Sequence, residues 1–161
     1  MSMHKFDFRK LIIAVVACEA VGYVGALFTA PAVSTWYAGL NKPVFAPPDF
    51  IFGPVWIALY FLMGLGLYIV WYKGIENVDT RRAIALFAFQ LSLNLLWTGI
   101  FFGAKDIGLA FAEIIALWIV VVLTIVEFGR ISRKPAALMF PYLAWVSFAT
   151  FLNYAFWLMN G

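Results

Sequence analysis

The sequence predicts an all-α integral membrane protein, a bundle of five transmembrane helices, and three observations carry that prediction. Five long apolar runs cover residues 11–30, 54–72, 82–102, 107–127 and 137–159. Each has the roughly 20 residues that a helix rising ~1.5 Å per residue needs to cross ~30 Å of hydrocarbon. The chain is 65% hydrophobic, 19% aromatic and only 12% charged, against about 25% charged in soluble domains. Basic residues also alternate between loops. Lys5, Arg9, Lys10, Lys73, Arg81, Arg82, Arg130, Arg133 and Lys134 fall on one side of the membrane, and Lys42 and Lys105 on the other. The positive-inside rule then places the N-terminus in the cytoplasm and the C-terminus outside, as in a bacterial cytoplasmic membrane. Residues 1–161 are expected to form one transmembrane domain, with no length left for a soluble one.

The first span carries an unbroken row of small residues at four-residue spacing, Ala14, Cys18, Gly22, Ala26 and Ala30, which lets another helix approach closely. Glu19 interrupts the apolar run and no small-x-small cleavage site follows, so residues 1–30 read as a span and not as a cleaved signal peptide. Cys18 is the only cysteine, which excludes an intrachain disulfide. The connection 31–53 is the longest, and five of the seven prolines fall between Pro31 and Pro54. Proline fixes φ and removes a donor, so this stretch is expected to be stiff, with a short helix near 34–40. Its Trp, Tyr and Phe suit either an interfacial aromatic belt or a lid folded over the helix ends.

On span three, Gln90, Asn94 and Thr98 recur every four residues with Trp97 and Phe101 beside them, which lines one helical face with hydrogen-bonding groups. Gly99 and Gly103 form a Gly-xxx-Gly pattern that suits a tight crossing or a dimer interface. Span four holds Glu113, expected with Glu19 to face the bundle, and Glu127, expected to pair with Arg130. Span five repeats the four-residue spacing with Trp145, Ala149 and Asn153, and Ser147 lies close by. Both polar stripes fit helix–helix glue as well as a cavity lining. A proton relay through Glu19 and Glu113 wants a further carboxylate or histidine, and the only histidine, His4, is in the tail.

Several chemistries are set aside. No metal-ligand spacing, nucleophile–base pair, Gly-rich phosphate loop or haem-ligating histidine is present, so no metal and no cofactor is expected. The charge of +3 and pI near 9.1 reside in short juxtamembrane loops, which points to membrane lipids as partners and not to nucleic acid. What remains is a cavity for a flat, hydrophobic, weakly polar molecule, with seven Trp and 17 Phe to stack on it and Asn94, Thr98 and Tyr37 to orient it.

Three blocks in order resemble one family. They are Trp36-Tyr37-Ala38-Gly39-Leu40-Asn41-Lys42-Pro43 leading to Pro47-Pro48 and Gly53-Pro54-Val55-Trp56; Leu93-Asn94-Leu95-Leu96-Trp97 running to Phe101-Phe102-Gly103; and Pro141-Tyr142-Leu143-Ala144-Trp145 through Phe148-Ala149-Thr150. Over essentially its whole length the chain resembles the translocator protein and tryptophan-rich sensory protein family (TspO/MBR, the peripheral-type benzodiazepine receptors). The resemblance implies a five-helix bundle, commonly a homodimer, with a ligand cavity near the long loop. It implies a receptor for tetrapyrroles such as protoporphyrin IX, and in some members for sterols and benzodiazepine-type drugs. Residue by residue, it assigns the ligand-binding positions to Tyr37, Trp56, Asn94, Trp97, Thr98, Trp145 and Ala149. Trp56 and Trp145 match the tryptophans associated with light-driven porphyrin breakdown in bacterial relatives, which leaves open whether the protein is an enzyme. The family's sterol motif wants a Lys or Arg a few residues after Tyr154, and residues 155–161 hold none. That departure argues against sterol recognition by this route. A transporter of small hydrophobic molecules is the alternative, although no inverted repeat or broken-helix pair is visible. A regulatory or structural scaffold is a third.

Overall fold

A computed structural model of the chain describes residues 6–161, so His4 and Lys5 lie outside the described residues. Five helices are long and apolar enough to cross a membrane: α1 (Phe8–Val33), α2 (Asp49–Tyr72), α3 (Val78–Thr98), α4 (Ile107–Ile131) and α5 (Arg133–Asn160). Among the described residues there is no β-strand. Side-chain acceptors start three of the helices where the sequence offers Asp or Asn. Asp7 accepts from the Lys10 amide, Asn77 from Asp79 and Asp106 from Leu109, satisfying amides that have no partner within the first turn. Turns between helices are tight. Gly74 takes φ +97°, a left-handed conformation open to glycine, after α2. The extended residue Ser132 alone separates α4 from α5.

Helices run beyond the expected spans because hydropathy marks the hydrocarbon and not the hydrogen-bonded ladder. α3 begins at Val78 and α5 at Arg133, each a turn earlier than its apolar run. The expected connection 31–53 is correspondingly shorter, because Pro31 and Pro54 sit inside α1 and α2. The loop proper is 34–48, and its short helix is a 3-10 turn at Tyr37–Gly39.

Around the bundle the order is α1, α2, α5, α4, α3, with α3 returning to α1. α1 and α2 touch most closely at one end: a Cβ built on Gly64 would stand 2.7 Å from the Val15 Cα. The row Ala14, Cys18 and Gly22 therefore serves as expected at its first half, with Ala14 and Cys18 buried at 1% and 0%. Toward the other end the same row lines a space instead. Apart from Lys42 and Lys105, which stand at the opposite end, the basic residues of the described chain gather at the Gly64 end, in the first turn of α1 and around the α2–α3 and α4–α5 turns. Glu127 pairs with Arg130 at 2.6 Å.

One feature of α3 was not legible. After Thr98 the helix widens into a π-helical segment, Gly99–Ala104, ended by Lys105 at φ 59°. Wider turns of this kind are rare and cluster at functional sites. Here the widening brings Phe101 and Phe102 together, centroids 4.8 Å apart, where both line the same space. Gly103 faces the Phe28 ring of α1, at 3.3 Å from a built Cβ, while Gly99 meets nothing within 4 Å. Half of the Gly-xxx-Gly pattern thus works inside the bundle.

Candidate functional site

The space is a cavity of about 380 Å³ walled by α1, α2, α3 with its π segment, α5 and the 3-10 turn. Small residues create it: Gly22, Gly25 and Ala26 on α1, Gly53 on α2 and Ala149 on α5 leave room where larger side chains would close the bundle. Aromatic rings then line it. Trp56 and Trp145 meet at 6.3 Å with planes at 86°, Trp97 stacks on Phe101 at 5.2 Å, and Phe52 stands 6.0 Å from Trp145.

The loop 34–48 closes one end and does not splay outward. Tyr37 is 3% exposed and packs on Phe156, Phe102, Phe101 and Phe52 at 5.3 to 6.5 Å. Trp36 lies against Phe101 at 5.6 Å and Phe45 against Phe148 at 6.4 Å. Lys42 is held by Asp49 at 3.2 Å and stands 4.5 Å over the Tyr37 ring. A reciprocal clamp joins the loop to the end of α5. The Asn41 amide donates to Asn160 Oδ1 at 2.8 Å, and Asn160 Nδ2 donates to the Asn41 carbonyl at 2.9 Å. Replacing Asn160 with alanine should remove both bonds and loosen the loop by about 1 kcal/mol. Faster hydrogen exchange at the Asn41 amide, with α-helical protection unchanged, is the expected readout; an unchanged rate would show that ring packing alone holds the lid.

Burial, and after it the Asp49 carboxylate, pushes the Tyr37 phenol up to about 12. It is therefore a hydrogen-bond donor at neutral pH, yet it has no partner among the described residues. An unpaired buried hydroxyl beside an apolar cavity fits a polar atom of a bound molecule. The cavity also meets the outside laterally, because Tyr23 and Ile57 line it while remaining 69% and 62% exposed. These two residues lie on the exposed α1–α2 edge.

The structure brings Tyr37, Trp56, Trp97, Thr98, Trp145 and Ala149 to this wall. It places Asn94 one layer behind. Tyr60 Oη donates to Asn94 Oδ1 at 2.5 Å, and Asn94 Nδ2 donates to Tyr142 Oη at 2.9 Å. The α3 stripe is thus divided between glue and lining: Asn94 bridges α2, α3 and α5, Gln90 donates to Met63 Sδ at 3.7 Å, and Thr98 faces the cavity. Asn153 does both, lining the cavity while accepting from Trp97 Nε1 at 2.9 Å and donating to the Ile107 carbonyl at 3.0 Å. Ser147 instead accepts from Trp118 Nε1 at 2.8 Å on the α4–α5 side. Sequence reasoning did not single out Tyr60, Phe52, Phe102, Phe156 or Gly22 as wall residues. Trp56 and Tyr60, four apart on span two, carried a signal for the first of these. Among the described residues no group of His, Cys, Asp and Glu is placed to hold a metal ion.

Known proteins resemble the chain along most of its length. The TspO/MBR family model matches residues 14–158. The chain is 47% identical to the tryptophan-rich protein TspO of Archaeoglobus fulgidus, over 94% of this chain and 97% of that one. It is 39% identical to the human translocator protein, over 86% and 82% of the two chains. With the tryptophan-rich sensory protein of Cereibacter sphaeroides it shares 35% identity over 92% and 89%.

Proposed function

The chain belongs to the TspO/MBR family of multi-pass membrane proteins, and on that premise we propose that it is a membrane receptor for tetrapyrroles of the protoporphyrin IX type and related flat hydrophobic ligands. The observation that carries this reading is the lidded cavity of about 380 Å³, within the roughly 300–1,000 Å³ of small-molecule sites. Its rings supply stacking area, and the unpartnered Tyr37 phenol supplies a point of orientation. Tyr37, Trp56, Trp97, Thr98, Trp145 and Ala149 touch the ligand in this proposal, and Asn94 acts from behind by holding Tyr60. The lateral opening at Tyr23 and Ile57 favours ligands that partition into the bilayer before they bind. Function as a homodimer, with the N-terminus cytoplasmic, completes the proposal.

The experiment is a titration of purified protein with protoporphyrin IX in the dark, read by tryptophan fluorescence. Saturable quenching that reaches an endpoint near one ligand per chain is expected. Linear, non-saturating quenching would reject the receptor reading. Light-dependent breakdown of the bound ligand is a second reading, supported by the Trp56–Trp145 pair on the cavity wall. An indole is electron-rich and gives an electron to an excited ring held beside it. Dissolved dioxygen takes that electron from the ring and is the oxidant consumed as the ring breaks. Under illumination, replacing both Trp56 and Trp145 with phenylalanine should slow loss of the porphyrin absorbance band to the rate seen without protein. Equal rates in the variant and the native chain would remove that second reading and leave the receptor.

A further inference from the structure

Among the residues lining the cavity, Glu19 is the one that carries a carboxyl group, and stacking on a flat ligand makes no use of it. It stands roughly 16 Å from one end of α1 and 21 Å from the other at ~1.5 Å per residue, so it lies at mid-depth. The ion pairs among the described residues are Lys42–Asp49 and Glu127–Arg130, so Glu19 has no cationic partner among them. Every described Lys and Arg lies at a helix end or in a turn, away from the middle of α1.

The groups that share this part of the wall are electron-rich rings. Tyr23 follows on the next turn of α1, and Trp56 and Tyr60 come from α2, 5.6 Å apart and tilted by 30°. Gly22 is what admits the Tyr60 ring: a Cβ there would stand 2.6 Å from two of its ring carbons. Tyr60 is fixed from behind by its bond to Asn94. An acid and electron-rich rings lining one cavity supply the two requirements of an organic cation, charge neutralisation and a cation–π contact. A carboxylate–ammonium pair has no net charge, so both partners together enter the hydrocarbon more readily than either alone.

We propose that the α1–α2 side of the cavity is a subsite for a positively charged nitrogen of the ligand, an ammonium or protonated heterocycle, held by Glu19 against Tyr23, Trp56 and Tyr60. The inference rests on the reading of the cavity as a ligand site and adds selectivity to it. A ligand that carries carboxylate arms, as protoporphyrin IX does, turns them away from Glu19 and toward the lid.

Three probes on one scaffold test it: naphthylmethylammonium, naphthylmethanol and naphthoate, titrated into the full chain in zwitterionic nanodiscs and read by tryptophan fluorescence. Native protein should bind the ammonium at least about tenfold more tightly than the neutral alcohol, or ~1.4 kcal/mol, and the carboxylate least. Glu19→Gln should bring the ammonium to the level of the alcohol and leave the alcohol unchanged. The native ratio needs no variant to fold, and a native chain without cation preference overturns the subsite. A preference retained in Glu19→Gln overturns it equally. If saturable protoporphyrin quenching persists alongside either result, the receptor reading stands without the subsite; if neither probes nor porphyrin bind, both fall.

Discussion

Replacing Asn94 with alanine should destabilise the bundle by about 2 kcal/mol. Two estimates bear on that figure. Interhelical hydrogen bonds in membranes average only ~0.6 kcal/mol, because helices separated in lipid find other partners. Leaving a sealed polar group unpaired costs about 1–3 kcal/mol. The second applies more strongly here, since Asn94 is 1% exposed and Tyr142 and Tyr60 are 0% and 5% exposed. One amide serves both phenols, as acceptor from Tyr60 and donor to Tyr142, so its loss strands two groups at once. Thermal unfolding in detergent measures the effect. Tyr60→Phe, which removes one donor and leaves the Asn94–Tyr142 bond, should cost less than half as much. Equal melting temperatures for native protein and Asn94→Ala would mean that α2, α3 and α5 are held by apolar packing alone.

Ala149→Phe should reduce protoporphyrin affinity by at least about tenfold, equivalent to ~1.4 kcal/mol, without lowering stability. Ala149 lies on the cavity wall between Trp145 and Asn153 on the same helical face. A phenyl ring there would occupy the room that a flat ligand needs, and would fill unoccupied volume that otherwise weakens packing. Binding and stability are therefore expected to move in opposite directions, the signature of a filled pocket and not of a damaged fold. Dark titration and thermal unfolding on the same sample decide it. Undiminished binding would place the ligand elsewhere, with the shallow recess formed by Trp118, Ser147 and Phe151 on the α4–α5 face as the next site to test.

Much of the cavity wall is legible in the sequence. The Trp36–Tyr37 block and the four-residue rows Asn94–Thr98 and Trp145–Ala149 lead to the walls of one cavity, with Asn94 set back behind Thr98. The small-residue row of span one was readable as a close approach, which Ala14 and Cys18 make. Gly22 and Ala26 in the same row open the cavity, and nothing in the spacing separates the two uses. Nor does composition indicate that Asn94 turns toward Tyr60 and Tyr142, since an asparagine that glues helices and one that faces a ligand have the same neighbours in sequence. The π segment Gly99–Ala104 is a single widened turn and a half, too short to alter any apolar periodicity. The Asn41–Asn160 clamp joins residues from opposite ends of the chain.

What the sequence determined by itself was the number of crossings, their depth and the end at which the basic residues gather, because transfer into hydrocarbon is a local property of about 20 residues. Which face of each helix looks inward, and what it meets there, was decided by the tertiary structure. In water an apolar stripe marks the buried face. In lipid the outside of a helix is as apolar as its inside, so shape and hydrogen bonding select partners, and those are properties of several helices at once.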